Sequence, residues 1–137
     1  MQLNEIAGVH TARTVIAGQA TAGTVDSWPL FAAPDDLEVA AVRWIPAAAV
    51  TGVNTNNFAL AVQNKGVAGS GTTAVTATKT YASGTDSVAN VAETLALSGT
   101  AANLLVAAGE VLALVRTVNA SGLAQPDGVL EVDYRVR

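Results

Sequence analysis

Few side chains in this sequence could do chemistry. His10 is the only histidine. A Ser-His-Asp relay needs an imidazole held between two partners. His10 falls in a stretch without regular pattern, so it reads as a solvated surface residue. One histidine cannot build a His-based metal cage. There is no cysteine, which removes thiolate nucleophiles, thiolate metal sites and disulfides together. Asp35, Asp36 and Glu38 carry the oxygen ligands calcium takes, but not in the fixed loop grammar of a calcium site; they read as solvated turn acids. Glu93 and Glu110 are a carboxylate pair that a sandwich could set face to face for glycoside hydrolysis. Both lie beside turns, where exposed acids are ordinary. Gly66 to Gly71 is glycine-rich, but it lies between strand-like segments and lacks the strand–loop–helix setting of a phosphate loop. It reads as a hairpin connection. No catalytic residue, cofactor or metal is expected, and the chain is not expected to be an enzyme.

Charge narrows the partners. Only 13% of the 137 residues are charged, and the formal net charge is −4. Gripping a nucleic-acid backbone needs clustered Lys and Arg. Here Arg13, Arg43, Lys65, Lys79, Arg116, Arg135 and Arg137 are scattered. Neither nucleic acid nor an anionic membrane is an expected partner. The opening residues lack the basic and apolar regions of a secretory signal. The apolar stretch from Leu104 to Val115 is broken by Gly109 and Glu110, and it is short of the roughly 20 residues a bilayer span needs. The chain is expected to be soluble and made in the cytoplasm.

Pattern must decide what these residues are set upon. Alanine (28 residues) favours helix, while valine (19) and threonine (15) favour strand, so composition alone leaves the class open. Period-two alternation settles it. It runs through Leu37–Ile45, through Phe58, Leu60 and Val62, through Val75 to Tyr81, through Leu112, Leu114, Arg116 and Val118, and through Leu130, Val132, Tyr134 and Val136. Turn residues recur between these runs, as at Asn64 to Gly66, Ser83 to Asp86, Asn119 to Gly122 and Pro126 to Gly128. Val88, Val91, Ala92 and Leu95 instead have the spacing of one helical face, and a short helix there competes with extended chain. The reading is an all-β fold: an antiparallel β-sandwich or jelly-roll-like barrel with an extended N-terminal arm. Residues 1–24 form the arm, β-prone at Thr14-Val15-Ile16, and residues 25–137 form one sandwich domain. Trp28 and Phe31, set among prolines, are either an interface or a cap over one end of the core. Trp44, Phe58 and Tyr134 are expected in the core.

One resemblance covers roughly residues 37–136. It rests on Ile45-Pro46-Ala47-Ala48-Ala49-Val50-Thr51-Gly52, on Thr55-Asn56-Asn57-Phe58, on Val62-Gln63-Asn64-Lys65-Gly66 and on Gly69-Ser70-Gly71-Thr72-Thr73. Leu95-Ala96-Leu97-Ser98 and Val106-Ala107-Ala108-Gly109-Glu110-Val111-Leu112 complete it. The pattern resembles head decoration (cement) proteins of tailed bacteriophages, which have a jelly-roll-like body. The resemblance implies a structural virion protein on the capsid exterior, without cofactors. It also implies the major capsid protein as partner and a homotrimer as the bound form, clamping neighbouring capsid subunits. Thr14, Val15, Ile16, Trp28 and Phe31 are the expected capsid contacts. The alternative is a head-fibre or a receptor- or carbohydrate-binding β module.

Overall fold

The computed structural model describes residues 8–19 and 25–137. Of the expected arm, residues 1–7 and 20–24 lie outside the described residues. The strands are β1 (His10–Ile16), β2 (Asp26–Ala32), β3 (Leu37–Pro46), β4 (Asn57–Asn64), β5 (Thr73–Ala74), β6 (Lys79–Thr80), β7 (Glu93–Thr94), β8 (Leu105–Val106), β9 (Val111–Asn119) and β10 (Gly128–Val136). A single 3-10 turn, Ala101–Leu104, is the one helical element among the described residues. The protein is an antiparallel β-sandwich. One sheet has the order β1-β10-β3-β7, with β8 also on β3; the other has β2-β9-β4-β5, with β6 also on β4. The segment expected to be an arm thus supplies β1, which pairs with β10 from His10↔Tyr134 to Ile16↔Gly128.

The alternating runs supply the core. Phe58, Leu60 and Val62 of β4 meet Leu112 and Leu114 of β9 on one inner face, and Trp44, Leu130 and Val132 line the other. Burial of such side chains contributes about 1.5–3 kcal/mol each. Two bulges decide which residues take part. On β3 the pairing with β10 shifts between Ala41 and Val39, leaving Ala40 as the extra residue. A one-residue slip exchanges the faces of a strand. Leu37 and Val39 therefore point inward before Ala40, and Val42 and Trp44 after it. On β2 the extra residue is Leu30, between Pro29↔Ala113 and Phe31↔Leu112. This puts both Trp28 and Phe31 against the core, although they are three residues apart.

One flank of the sandwich is sealed by backbone bonds. The Val75 and Thr76 amides donate to the Val62 carbonyl, Ala77 N–H to Ala96 O, Ser98 N–H to Val75 O, and Leu95 N–H to Val42 O. Together they join β4 to β3 around that side. Lys79 Nζ reinforces the closure with an ion pair to Glu93 Oε2 at 2.6 Å. The run expected as one strand from Val75 to Tyr81 is consequently divided. Thr76 leaves the sheet as its Oγ1 accepts from Val62 N–H at 2.9 Å, and the chain regains β4 only at β6. The helical spacing of Val88 to Leu95 produces no helix. Val88 and Val91 are exposed, Asn90 has φ 62°, and Glu93 joins β3 as part of β7. An isolated apolar stripe has no partner to bury against, and strand pairing captures Glu93 and Leu95 instead.

Candidate functional site

The opposite flank is the distinctive one. There β1 edges one sheet and β2 edges the other, each with one strand neighbour among the described residues. Between them runs a seam held by side chains. Thr14 Oγ1 donates to the Leu30 carbonyl at 3.2 Å. Phe31 stacks on Tyr134, with ring centroids 5.6 Å apart and planes 26° apart. His10 continues the stack on Tyr134 at 5.5 Å and 27°. His10 is therefore not the solvated residue its patternless neighbourhood suggested: Nε2 is shielded from solvent within an aromatic stack. The register that sets His10 opposite Tyr134 joins residues 124 positions apart, which local sequence does not reveal.

The two edges differ in protection. Pro29 lacks an N–H, and the bulge at Leu30 breaks the regular pleat of β2. Edges blunted in this way resist further pairing. Strand β1 has neither proline nor bulge and pairs in unbroken register over all seven residues. Its Val15 is 80% exposed. Val15, Val129 and Ile45 are register neighbours and form a cross-strand apolar row on the outer face.

The next row outward is ionic. Glu131 lies between Arg13 and Arg43 in register. Arg13 Nε reaches Glu131 Oε1 at 2.9 Å, and Arg43 reaches Glu131 Oε2 at 3.0 Å and Asp133 Oδ2 at 2.8 Å. Thr11 Oγ1 donates to Asp133 Oδ1 at 2.6 Å. Hydrogen bonds from Arg13 and then Arg43 hold the Glu131 carboxyl below its ordinary pKa, and those from Arg43 and Thr11 do the same for Asp133. The pair raises the pKa of Arg43 in return, Asp133 more than Glu131. The network fastens β1 to β10 and β3.

The expected contact residues divide by environment. Val15 presents its side chain to solvent, Thr14 is turned toward Leu30, and Ile16 is fully buried. Trp28 and Phe31 are half-buried and packed on the core, Phe31 through Tyr134. The carboxylates weighed for chemistry are occupied separately. Glu93 Oε2 accepts from Lys79 and, at 2.8 Å, from the Tyr81 hydroxyl; burial and then that bond raise the Tyr81 pKa. Glu110 Oε2 accepts from Asn64 Nδ2 at 2.6 Å and from Ala107 N–H at 2.9 Å. Asp36 Oδ1 accepts from Ala108 N–H. Among the described residues no three His, Asp or Glu side chains converge as a metal site would require.

A buried cation continues the alternating inward row of β9. Arg116 occupies an inward position of β9 and is 0% exposed. Its guanidinium donates to Gln19 Oε1 at 2.8 Å and to the Leu123 carbonyl, and lies 5.1 Å from the Phe58 ring centroid. Gln19 Nε2 passes the contact on to Asp26 Oδ2 at 2.6 Å. Burial lowers the Arg116 pKa, opposed by Asp26. The arginine ties β9 to residue 19 beyond the end of β1, so it reinforces the seam.

No protein-family model matches the chain, and no curated protein does. Among solved structures it is similar to a chain in the structure of infectious bursal disease virus, Gx strain, with a TM-score of 0.48 and 12% identity. The match covers 93% of this chain and 32% of that one, so this chain spans about a third of its length.

Proposed function

We propose that this chain is a structural virion protein that decorates the outside of a tailed-phage capsid and clamps neighbouring major capsid subunits. The observation that carries this reading is the unprotected edge of β1 with Val15 exposed beside it. A regular, unguarded edge strand is a template for pairing with another chain. The resemblance of residues 37–136 to head decoration proteins supplies the partner, a strand of the major capsid protein, and the trimeric bound form. A sandwich sealed on one flank and fastened by ion pairs and an aromatic stack on the other resists deformation, as a clamp must. Repetition of a modest contact over many capsid positions gives avidity.

The test is a titration of purified protein onto expanded phage capsids that lack it, read by sedimentation and electron microscopy. Saturable binding at symmetry positions with raised heat resistance of the shell is expected. Val15→Arg, at an exposed position, is expected to fold normally and lose binding. Absence of saturable binding at micromolar concentrations sinks the reading. Binding of soluble glycans by the isolated chain would instead favour the head-fibre or receptor- or carbohydrate-binding module.

A further inference from the structure

Strand β1 alternates strictly. His10, Ala12, Thr14 and Ile16 are shielded in part or in full, while Thr11, Arg13 and Val15 are exposed. Val9, just before the strand, is 51% exposed and Val15 is 80% exposed. Beyond β1 its sheet has no further strand among the described residues. Free backbone groups and two open valines therefore share one margin of the molecule.

The order of side chains along this edge is self-complementary. Directly opposed residues of antiparallel strands lie on one face. A second copy of β1, related by a two-fold axis, must therefore be centred on a residue, or its exposed side chains would meet shielded ones. Centring on Arg13 sets two guanidinium groups against each other, and like charges directly opposite are destabilising. Centring on Thr14 sets Arg13 against Val15, and centring on Thr11 sets it against Val9. Centring on Ala12 matches the pairs: Val15 meets Val9, Arg13 meets Thr11, and His10 meets Thr14, with Ala12 at the axis.

The rest of the sheet suits that partner. Val15, Val129 and Ile45 form one row on the outer face, which Val9 of the second copy would lengthen. Thr11 Oγ1 holds Asp133 at 2.6 Å, so the same register brings Arg13 beside the Thr11–Asp133 pair of the second copy. Arg13 pairs with Glu131 through Nε, and its side chain is 67% exposed, so its outer nitrogens are open to that acid. We propose that the free chain forms a two-fold dimer in which the β1 edges of two copies pair antiparallel about Ala12 and join two sheets into one. Main-chain bonds give affinity, and the side-chain order sets the register. The inference concerns the free chain and does not rest on the capsid reading. A capsid strand would compete with the second copy for this edge, so the dimer keeps the edge covered until a shell is present.

Sedimentation equilibrium of the full chain at micromolar to millimolar concentration is expected to show monomer and dimer. Val15→Arg, at an exposed position, is expected to weaken dimerisation about tenfold or more, because it alters two cross-strand pairs at once. Oxidation reads the register, since the chain has no cysteine of its own. The double variant Val9→Cys, Val15→Cys is expected to close into a covalent dimer linked between positions 9 and 15 of different copies. Within one copy these positions stand roughly 20 Å apart along an extended chain, too far for a disulfide. Val15→Cys alone is expected to link poorly, because position 15 faces position 9. A monomer throughout that concentration range overturns the proposal and leaves the edge to a foreign strand, which the capsid titration tests separately. A trimer, a dimer undiminished by Val15→Arg, or linking by Val15→Cys alone as ready as that of the double variant also overturns it.

Discussion

Phe31 of β2 stacks on Tyr134 of β10 across the seam between the two sheets, at a centroid distance of 5.6 Å. Their strands belong to different sheets and share no backbone ladder, so the contact depends on side chains alone. Phe31→Ala is expected to lower unfolding free energy by about 2–4 kcal/mol, from lost burial plus the ring pairing. Urea unfolding measures the loss. Hydrogen exchange should show β1 amides losing protection before those of β4, and uniform loss would show that the stack does not hold the seam.

Gly128 gives room to Trp44. A Cβ on Gly128 would lie 2.4 Å from Trp44 Cη2 and 2.5 Å from the Ile45 carbonyl oxygen. Trp44 is fully buried and the backbone is paired on both sides, so neither neighbour yields easily. Gly128→Ala is expected to destabilise by about 1–3 kcal/mol through overpacking, visible as a lower melting temperature and altered tryptophan fluorescence. Wild-type stability would mean that the indole can shift.

The ionic ladder sets an acid dependence. Glu131 and Asp133 have depressed pKa values in the fold. Their contribution is present above the unfolded carboxylate values near 4 and is lost as pH falls through the lower folded values. Stability should therefore drop below about pH 4. Arg43→Gln removes the guanidinium hydrogen bonds to Asp133 and Glu131, so its stability-against-pH curve should be flatter there. Chemical denaturation across this range checks it, and parallel curves for the two proteins would refute the assignment.

Arg116 should tolerate shape better than truncation. Arg116→Ala leaves a cavity beside Phe58 and strips a donor from Gln19 and from the Leu123 carbonyl. A loss of about 2–5 kcal/mol is expected, from the cavity and the unmet buried acceptors. Arg116→Met keeps the apolar stem over Phe58 and should cost clearly less. Equal losses would show that charge rather than packing dominates.

Leu30 is the extra residue of the β2 bulge. Its deletion should leave Trp28, Pro29 and Phe31 in unbroken register with Leu114, Ala113 and Leu112, with both rings two positions apart and still on the inner face. Tryptophan fluorescence and urea unfolding check that both rings remain packed. A deletion variant in which Trp28 becomes solvent-exposed would contradict this reading of the bulge.

Much of the fold can be read in the residues themselves. The alternation of Val and Leu with small or charged residues in β4, β9 and β10, punctuated by Gly, Asn and Pro, specifies strands and turns because a half-buried strand has period two. The scarcity of clustered ionisable groups likewise directs attention away from chemistry. The remaining features rest on long-range register. The Ala40 and Leu30 bulges appear only when the opposing strand is known, yet they decide that Val39 and Val42, or Trp28 and Phe31, share a face. Strand β1 finds β10 across the length of the chain, which turns His10 from a lone surface histidine into one end of an aromatic stack. Arg116 follows the same inward row as Leu112 and Leu114, so its burial was implicit in the alternation; what makes burial tolerable, Gln19 and Leu123, is assembled only by the fold. Gln125 lies in a turn-rich segment with no period, and only the fold buries its amide. Local sequence determines which residues are strand-like; tertiary pairing determines which of their side chains are buried and against what, because register is set by strands far apart in the chain.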